Sequence, residues 1–312
     1  MKAEYKIVIP SRERASWMLL RGSRVTLPAI AHLKPTMRVR EDDSQIMLYR
    51  SYCEQYDCNM EVYDARKMPF SLQNYDAMIN AAVRTGPDVL MMIDDDLTFN
   101  MQNPIPDAKP MFCKPSREVL TELIQQAANI VGPEMPMMSF TPILTRSQTH
   151  LIALCKPMMM AYICYVPHFR AHPEHRFWIS EDIVARCELV LSLRLLTQGF
   201  LTCFMCTVFI PDNVNNPGGA SVYRNYEREK RGVAYLKDQF PELVRLRDKR
   251  GWVGDPTIIR KAPVVSWRRA FNKDSFRERF GRSAENFARE VRERHEKEYF
   301  ALVESIRAKH RG

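Results

Sequence analysis

The chain contains no apolar run near the ~18 residues that a membrane-spanning helix needs. Its first residues, MKAEYKIVIPSRER, are charged too early and too often for a secretory signal. The eight cysteines are scattered, and only one pair, Cys203/Cys206, has C-x-x-C spacing, with no second such pair to complete a four-ligand set. The nearest spacings are Cys53/Cys58 and Cys203/Cys206, the second inside an apolar strand-like run. This disfavours a zinc site and predicts free, mostly buried thiols in a reducing, cytoplasmic compartment. Two phosphate-cradling signatures are also missing. No G-x-G-x-x-G follows the first strand-like segment, and no G-x-x-x-x-G-K-[ST] occurs anywhere. A dinucleotide-binding domain and a P-loop NTPase are both disfavoured.

What is present is enough for a sizeable core: 312 residues, 46% of them apolar. The net charge of +9 is unevenly placed. Residues 221–312 hold 24 Lys and Arg against 14 Asp and Glu, whereas residues 1–220 are close to neutral. Such asymmetry points to a polyanionic partner, or else to a solvated charged tail. It places a soft boundary near 221, between domains over 1–220 and 221–312. The second is expected to be a basic helical extension, with helices over roughly 225–240, 242–250 and 284–309.

The first half alternates strand and helix patterns. Strands are expected at Tyr5–Ile9, Thr36–Val39, Met60–Tyr63 and Val89–Ile93. Ser44 is expected to cap a helix running to Tyr56, and Ser71 one running to Arg84. This βαβαβ pattern implies an α/β fold with a mostly parallel sheet flanked by helices. Further on, Ser116 starts a helix to Ile130, and strands are expected at Met137–Thr141, Met158–Val166 and Leu201–Ile210. Residues 100–115 read as a loop. Ser180 reads as the cap of a helix that would place Glu181 and Asp182 in its first turn.

In open α/β sheets, ligands bind outside the carboxyl ends of the strands. Four features converge there: Pro10, Ser11 and Arg12 after the first strand, Glu41 and Asp42 after the second, Arg66 and Lys67 after the third, and Asp94, Asp95 and Asp96 after the fourth. Three adjacent carboxylates at the end of a buried strand repel one another. A divalent cation would relieve them, and hard oxygen ligands suit Mg2+ or Mn2+. A solvated turn is the plainer alternative. His168, His172 and His175 are candidates for a third metal ligand or an acceptor contact.

The strand ending in IPSR, the acid after the second strand, the helix SLQNYDAMINAA and the DDD that ends an apolar strand together resemble nucleotide-sugar glycosyltransferases of the GT-A (Rossmann-like) fold. With DDDL and the later NNPGG…YR segment, the chain looks most like the phage TET-associated DNA glycosyltransferases. The resemblance spans about residues 5–224. It implies a UDP-sugar as donor and a 5-hydroxymethylated pyrimidine such as 5-hydroxymethylcytosine in bacteriophage DNA as acceptor, with activity in the host cytoplasm. Asp94 and Asp96 match the D-x-D metal and diphosphate positions, and Asp95 lies between them. Asp94 and Asp95 also fall within the donor site. Pro10, Ser11, Arg12 and Glu41 or Asp42 match donor-base positions, and Arg66 or Lys67 would reach the diphosphate. Asp182, with Glu181 as its rival, matches the catalytic base. Arg224 could meet phosphate, and Trp267, Arg268 and Arg269 combine a stacking ring with two phosphate-seeking cations.

The residues leave alternatives open: a glycosyltransferase with a non-DNA acceptor, a haloacid-dehalogenase-type phosphatase using Asp94 in D-x-D-x-T, or a non-catalytic DNA-binding protein with a GT-A-like core.

Overall fold

The computed structural model describes residues 2–22, 25–68, 71–102, 112–142, 151–183, 185–211, 225–252 and 255–311. Its strands are β1 (Tyr5–Ser11), β2 (Thr36–Arg40), β3 (Asn59–Tyr63), β4 (Val89–Ile93), β5 (Asn100–Gln102), β6 (Phe112–Cys113), β7 (Met137–Thr141), β8 (Ile152–Leu154), β9 (Ala161–Tyr165), β10 (Thr202–Phe209), β11 (Val244–Trp252) and β12 (Asp255–Val265). Its helices are α1 (Ala15–Arg21), α2 (Thr26–Ile30), α3 (Ile46–Gln55), α4 (Ser71–Thr85), α5 (Arg117–Ile130), α6 (Val166–Ala171), α7 (Cys187–Thr197), α8 (Tyr226–Gln239), α9 (Trp267–Ala270), α10 (Lys273–Phe280) and α11 (Ala284–Arg311).

One sheet runs in the order β3-β2-β1-β4-β9-β7-β10-β5-β6, with β8 also paired to β10. The first four strands are mutually parallel. Beyond them, β9 is antiparallel to both β4 and β7, and β10 is parallel to β7. The expected mixed, mostly parallel sheet with flanking helices is therefore present. All five residues of β4 are buried, which explains its unbroken apolar run. Met91 and Ile93 join the core beneath α3 and α5, while Leu90 and Met92 join the core beneath α4 and α7.

Several expected element ends shift. The helix after β2 starts at Ile46, and Ser44 does not cap it. Asp43 is buried instead, and its Oδ1 accepts the Gln45 N–H at 2.9 Å. Ser116 does cap α5, through Val119 N–H at 3.3 Å. The 100–115 segment contains the short strands β5 and β6.

Two corrections matter more. The segment expected as a helix over 242–250 is a strand, paired antiparallel with β12. Apolar residues alternate with cations in Val244-Arg245-Leu246-Arg247, Gly251 takes a φ of 86° near the turn, and the β-branched pairs Ile258-Ile259 and Val264-Val265 supply the partner strand. The helix expected from Ser180 begins at Cys187. Ser180 and Ile183 form an isolated bridge, and Arg186 precedes the helix with a φ of 69°.

The C-terminal elements share the core of the sheet. Leu236, Val244, Phe276, Phe287 and Val291 belong to the same buried cluster as Ile9 and Met138. α11 packs along α5. α7 is apolar nearly all round, as in Leu189-Val190-Leu191, because it is covered on both sides. All eight cysteines are free thiols, five of them buried. Among the described residues no helix is long and apolar enough to cross a membrane.

Gly199 ends α7 with a φ of +84°, and a β-carbon there would lie 2.6 Å from the Phe276 nitrogen. Gly199→Ala should cost at least about 2 kcal/mol from the positive φ and overpacking together. Urea unfolding monitored by tryptophan fluorescence would read this as a lowered midpoint.

Candidate active site at the carboxyl edge of the sheet

The four expected loops do meet. β1, β2, β3 and β4 run in one direction, so Arg12, Glu41–Asp42, Arg66–Lys67 and Asp94–Asp96 all follow strands at the same sheet edge.

The turn after β4 is built by backbone bonds. Asp94 N–H donates to Met160 O at 2.9 Å. Thr26, at the start of α2, clamps the rest. Its hydroxyl donates to Asp94 O at 2.5 Å and accepts from Leu97 N–H at 2.9 Å, and its own N–H donates to Asp95 O at 3.2 Å.

This turn sends the three carboxylates to different partners. Asp95, 2% exposed, points into the protein, where Ser11 Oγ and Arg14 Nη1 both donate to it. The same Arg14 nitrogen reaches Asp96 Oδ2 at 3.0 Å. Tyr49 braces the pair by bonding Ser11 Oγ at 2.7 Å and accepting Arg14 N–H at 2.9 Å. Asp94 is partly exposed on the other side, and Tyr75 OH donates to its Oδ1 at 2.7 Å.

The electrostatics follow. Burial pushes Asp94 up to about 7, helped by the charges of Asp96 and Asp95 and opposed by the Tyr75 bond. Burial also raises Asp95, against the pull of Arg14. Burial alone would lower the pKa of Arg14, but Asp95 and Asp96 outweigh it and raise it.

Arg14 is thus the first answer to the crowding of the aspartates. The loop carries two cations, Arg12 and Arg14, and it is the second, not the expected Arg12, that meets the aspartates. Tyr49, Tyr75, Thr26 and Asp43 were missed as well. Asp43 ties the first two loops together, its Oδ2 accepting Glu13 N–H at 2.7 Å.

Of the expected donor-site residues, Pro10 is half-buried within β1, and Ser11 is buried with its hydroxyl engaged by Asp95 and Tyr49. Arg12 lies beside Glu13 at 3.5 Å. Asp42 is gripped through both oxygens by Arg40, at 2.9 and 2.8 Å, which lowers its pKa. Glu41, Arg66 and Lys67 are exposed. Arg66 and Lys67 approach Asp64 at 3.2 and 3.7 Å, and the Arg66 backbone and side-chain bonds hold Asp64 down to about 2.

A divalent cation fits Asp94 and Asp96 by donor chemistry. They are hard oxygen donors, and among the described residues no third His, Cys, Asp or Glu completes a three-ligand group with them. Two carboxylates, with the remaining positions left to phosphate and water, is the usual way Mg2+ is held beside a nucleotide.

The histidines do not belong to this site. β9 runs antiparallel to β4, and Val166 N–H donates to Asp88 O at 2.8 Å, so α6 starts at the opposite sheet edge. His168 and His175 bond each other at 2.9 Å, and His175 also bonds Gln198 at 2.8 Å. Burial and the neighbouring imidazoles push His168 down to about 3, and burial lowers His175.

From there the chain returns along α4. Asp76 accepts Phe177 N–H and Trp178 N–H, both at 2.8 Å, one residue from Tyr75. This return brings Glu181 and Asp182 back toward the edge that carries Asp94. Both are exposed, and Asp182 pairs with Arg231 of α8 at 3.1 Å. With α7 starting at Cys187, Asp182 lies before the helix and not in its first turn.

Trp267 is half-buried, and Arg268 and Arg269 are exposed. Arg224 and the NNPGG segment lie outside the described residues.

No protein-family profile matches the chain, and no curated protein matches it. Solved structures do. The mannosyltransferase PcManGT from Pyrobaculum calidifontis, in complex with GDP-Man and Mn2+, is similar at 11% identity over 78% of this chain, with a TM-score of 0.47. This chain spans 64% of that protein's length. Glucosyl-3-phosphoglycerate synthase from Mycobacterium tuberculosis, in complex with Mn2+ and UDP, is similar at 10% identity over 85% of this chain and 88% of that one, with a TM-score of 0.44. TarS 1–349 of S. aureus, in complex with UDP, is similar at 7% identity over 77% of this chain and 72% of that one, with a TM-score of 0.44. At these values the likeness is loose.

Two outcomes test the site's construction. Arg14→Met leaves Asp95 buried without its cation and should cost about 3–5 kcal/mol, with most of that recovered in Arg14→Met/Asp95→Asn. Denaturant unfolding of the single and double variants measures this. The second concerns Asp76, which burial raises to about 6 despite its two backbone bonds. A raised folded-state value means stability that is full below about 4 and lost as pH rises through about 6, on the order of 3 kcal/mol. Unfolding midpoints from pH 4 to 7 should therefore fall in the wild type relative to Asp76→Asn, and parallel curves would contradict it.

Proposed function

We propose that the chain is a metal-dependent glycosyltransferase. It moves a sugar from a nucleotide sugar, most simply a UDP-sugar, to the hydroxyl of a 5-hydroxymethylated pyrimidine in DNA. The observation that carries the reading is the meeting of Asp94 and Asp96 with three charged loops at one edge of a parallel β3-β2-β1-β4 quartet. The crevice beyond the carboxyl ends of such strands is where α/β folds bind nucleotides.

In this reading the nucleotide lies over the loops after β1, β2 and β3. Arg12 and the Glu41–Asp42 turn flank the base and ribose, while the exposed Arg66 and Lys67 approach the diphosphate. Asp94 and Asp96 would hold Mn2+ or Mg2+, which when bound would neutralise the charge developing on the leaving diphosphate. Asp95 is the internal strut that fixes the turn.

Transfer forms a bond between the acceptor oxygen and the anomeric carbon and breaks the bond from that carbon to the diphosphate. The acceptor proton goes to a carboxylate. Asp182 is the candidate, with Glu181 beside it, and exposure at the sheet edge suits a group that must meet an incoming acceptor. The DNA acceptor is supported by the excess of positive charge after residue 221 and by Trp267 next to Arg268 and Arg269.

The test incubates the protein with Mn2+, a panel of nucleotide sugars and DNA containing 5-hydroxymethylcytosine or 5-hydroxymethyluracil, then digests the DNA for nucleoside mass spectrometry. A hexose or pentose adduct is expected, with Asp96→Ala losing at least about a hundredfold in rate, on the scale of removing one electrostatic stabiliser. No adduct with any donor would sink the reading.

A further inference from the structure

Four cations meet at one cavity of about 250 Å3 between the β11–β12 ribbon, the start of α7 and α9. Arg186, Arg247, Lys249 and Arg260 line it, with Leu189 and Trp267 among its apolar wall. The ladder register explains the clustering. Lys249 stands opposite Arg260, Arg247 opposite Ala262 and Arg245 opposite Val264. Directly opposed residues share a face, so Arg245, Arg247, Lys249 and Arg260 project to one side. Along β11 the cations repeat every ~6.8 Å, two residues apart. Asp248 projects to the other face, where it pairs with Lys261 at 2.7 Å.

One carboxylate meets the cluster from behind. Glu229 of α8 is buried, accepts Arg186 Nε at 2.9 Å and lies 3.7 Å from Arg260. That contact fixes the two arginines in place. It does not neutralise four cations, and Arg247 and Lys249 remain exposed. Like charges set side by side on a ribbon destabilise it, so the row is intelligible as a site for an anion.

We infer that this cavity holds the phosphodiester backbone of a polynucleotide strand, with a base laid against the Trp267 ring. The inference rests on the proposed DNA acceptor and names where that acceptor is gripped. A polymer fits better than a lone phosphate because the cations continue past the cavity, to Arg245 along the ribbon and to Arg268 and Arg269 beside Trp267. A stacking ring next to a basic track is how single strands are held without sequence readout. Arg231, next to Gly232 on the same helix α8 as Glu229, pairs with Asp182, so the helix that anchors Arg186 and Arg260 also touches the candidate base.

The test measures fluorescence anisotropy of a labelled single-stranded oligonucleotide with the full chain across a salt series. Arg247→Glu/Lys249→Glu is compared with Arg250→Glu/Lys261→Glu, which makes the same charge change on the opposite ribbon face. The first pair should lose at least tenfold in affinity and flatten the log–log salt slope by about 1.4, the single-strand value for two phosphate contacts. The second pair should change much less, although it also loses the Asp248–Lys261 ion pair, and both should keep Mn2+-dependent UDP binding as the sign of a folded chain. Equal loss in the two variants, unchanged affinity in the first, or no oligonucleotide binding by the wild type at low salt would overturn the inference. Binding through these residues by a chain that transfers no sugar would refute the proposed activity and leave the cavity's role standing.

Discussion

The sheet edge depends on one buried ion pair. Arg14 leaves the first loop and reaches Asp95 and Asp96 at the end of the fourth strand, while Ser11 and Tyr49 close the remaining bonds around it. Such a pair adds little net stability compared with an apolar filling, but losing either partner strands a charge in the interior. Its value is positional. It binds β1 to β4 beyond the last ladder bond and forces Asp95 inward, and that in turn leaves Asp94 to face Tyr75 and the surface. A turn of three like charges has acquired one orientation for each.

Much of this was legible in the chain. Val89–Ile93 reads as a strand buried on both faces, and it is one. The alternation of apolar strands with capped helices gives the parallel quartet and hence the edge where four charged loops meet. The sequence could not assign partners to the charges. Arg14 and Arg12 are equivalent in a string of letters, and only the path of the loop over β4 distinguishes them. Ser180-Glu181-Asp182 carries every local mark of a helix start. The structure makes a tight turn there, Ile183 N–H donating to Ser180 O at 3.1 Å, after Asp76, more than a hundred residues away in the chain, has taken the Phe177 and Trp178 N–H groups. Long-range bonds override local propensity at that point.

The same holds after residue 225. Charge-rich composition reads as helix, yet Val244–Val265 is a ribbon, because its alternation of apolar and basic residues suits a surface with two faces. The histidines teach the complementary lesson. Closeness in sequence to Glu181 and Asp182 suggested a shared site, but the antiparallel strand β9 carries His168 to the far end of the sheet before the chain comes back. There the imidazoles serve packing against Phe200, with ring centroids 4.6 to 5.8 Å from it.

Gly232 has a consequence for how this molecule can move. A β-carbon at that position would lie 2.3 Å from the Ala185 carbonyl oxygen, so helix and loop are in backbone contact there. The Arg231–Asp182 and Arg186–Glu229 pairs lie on either side of that contact. Helix α8 and the loop bearing Asp182 are therefore joined at three neighbouring points. A displacement of the ribbon carried through α8 is thereby passed to the loop bearing Asp182, so the basic ribbon and the charged edge of the sheet share one mechanical coordinate.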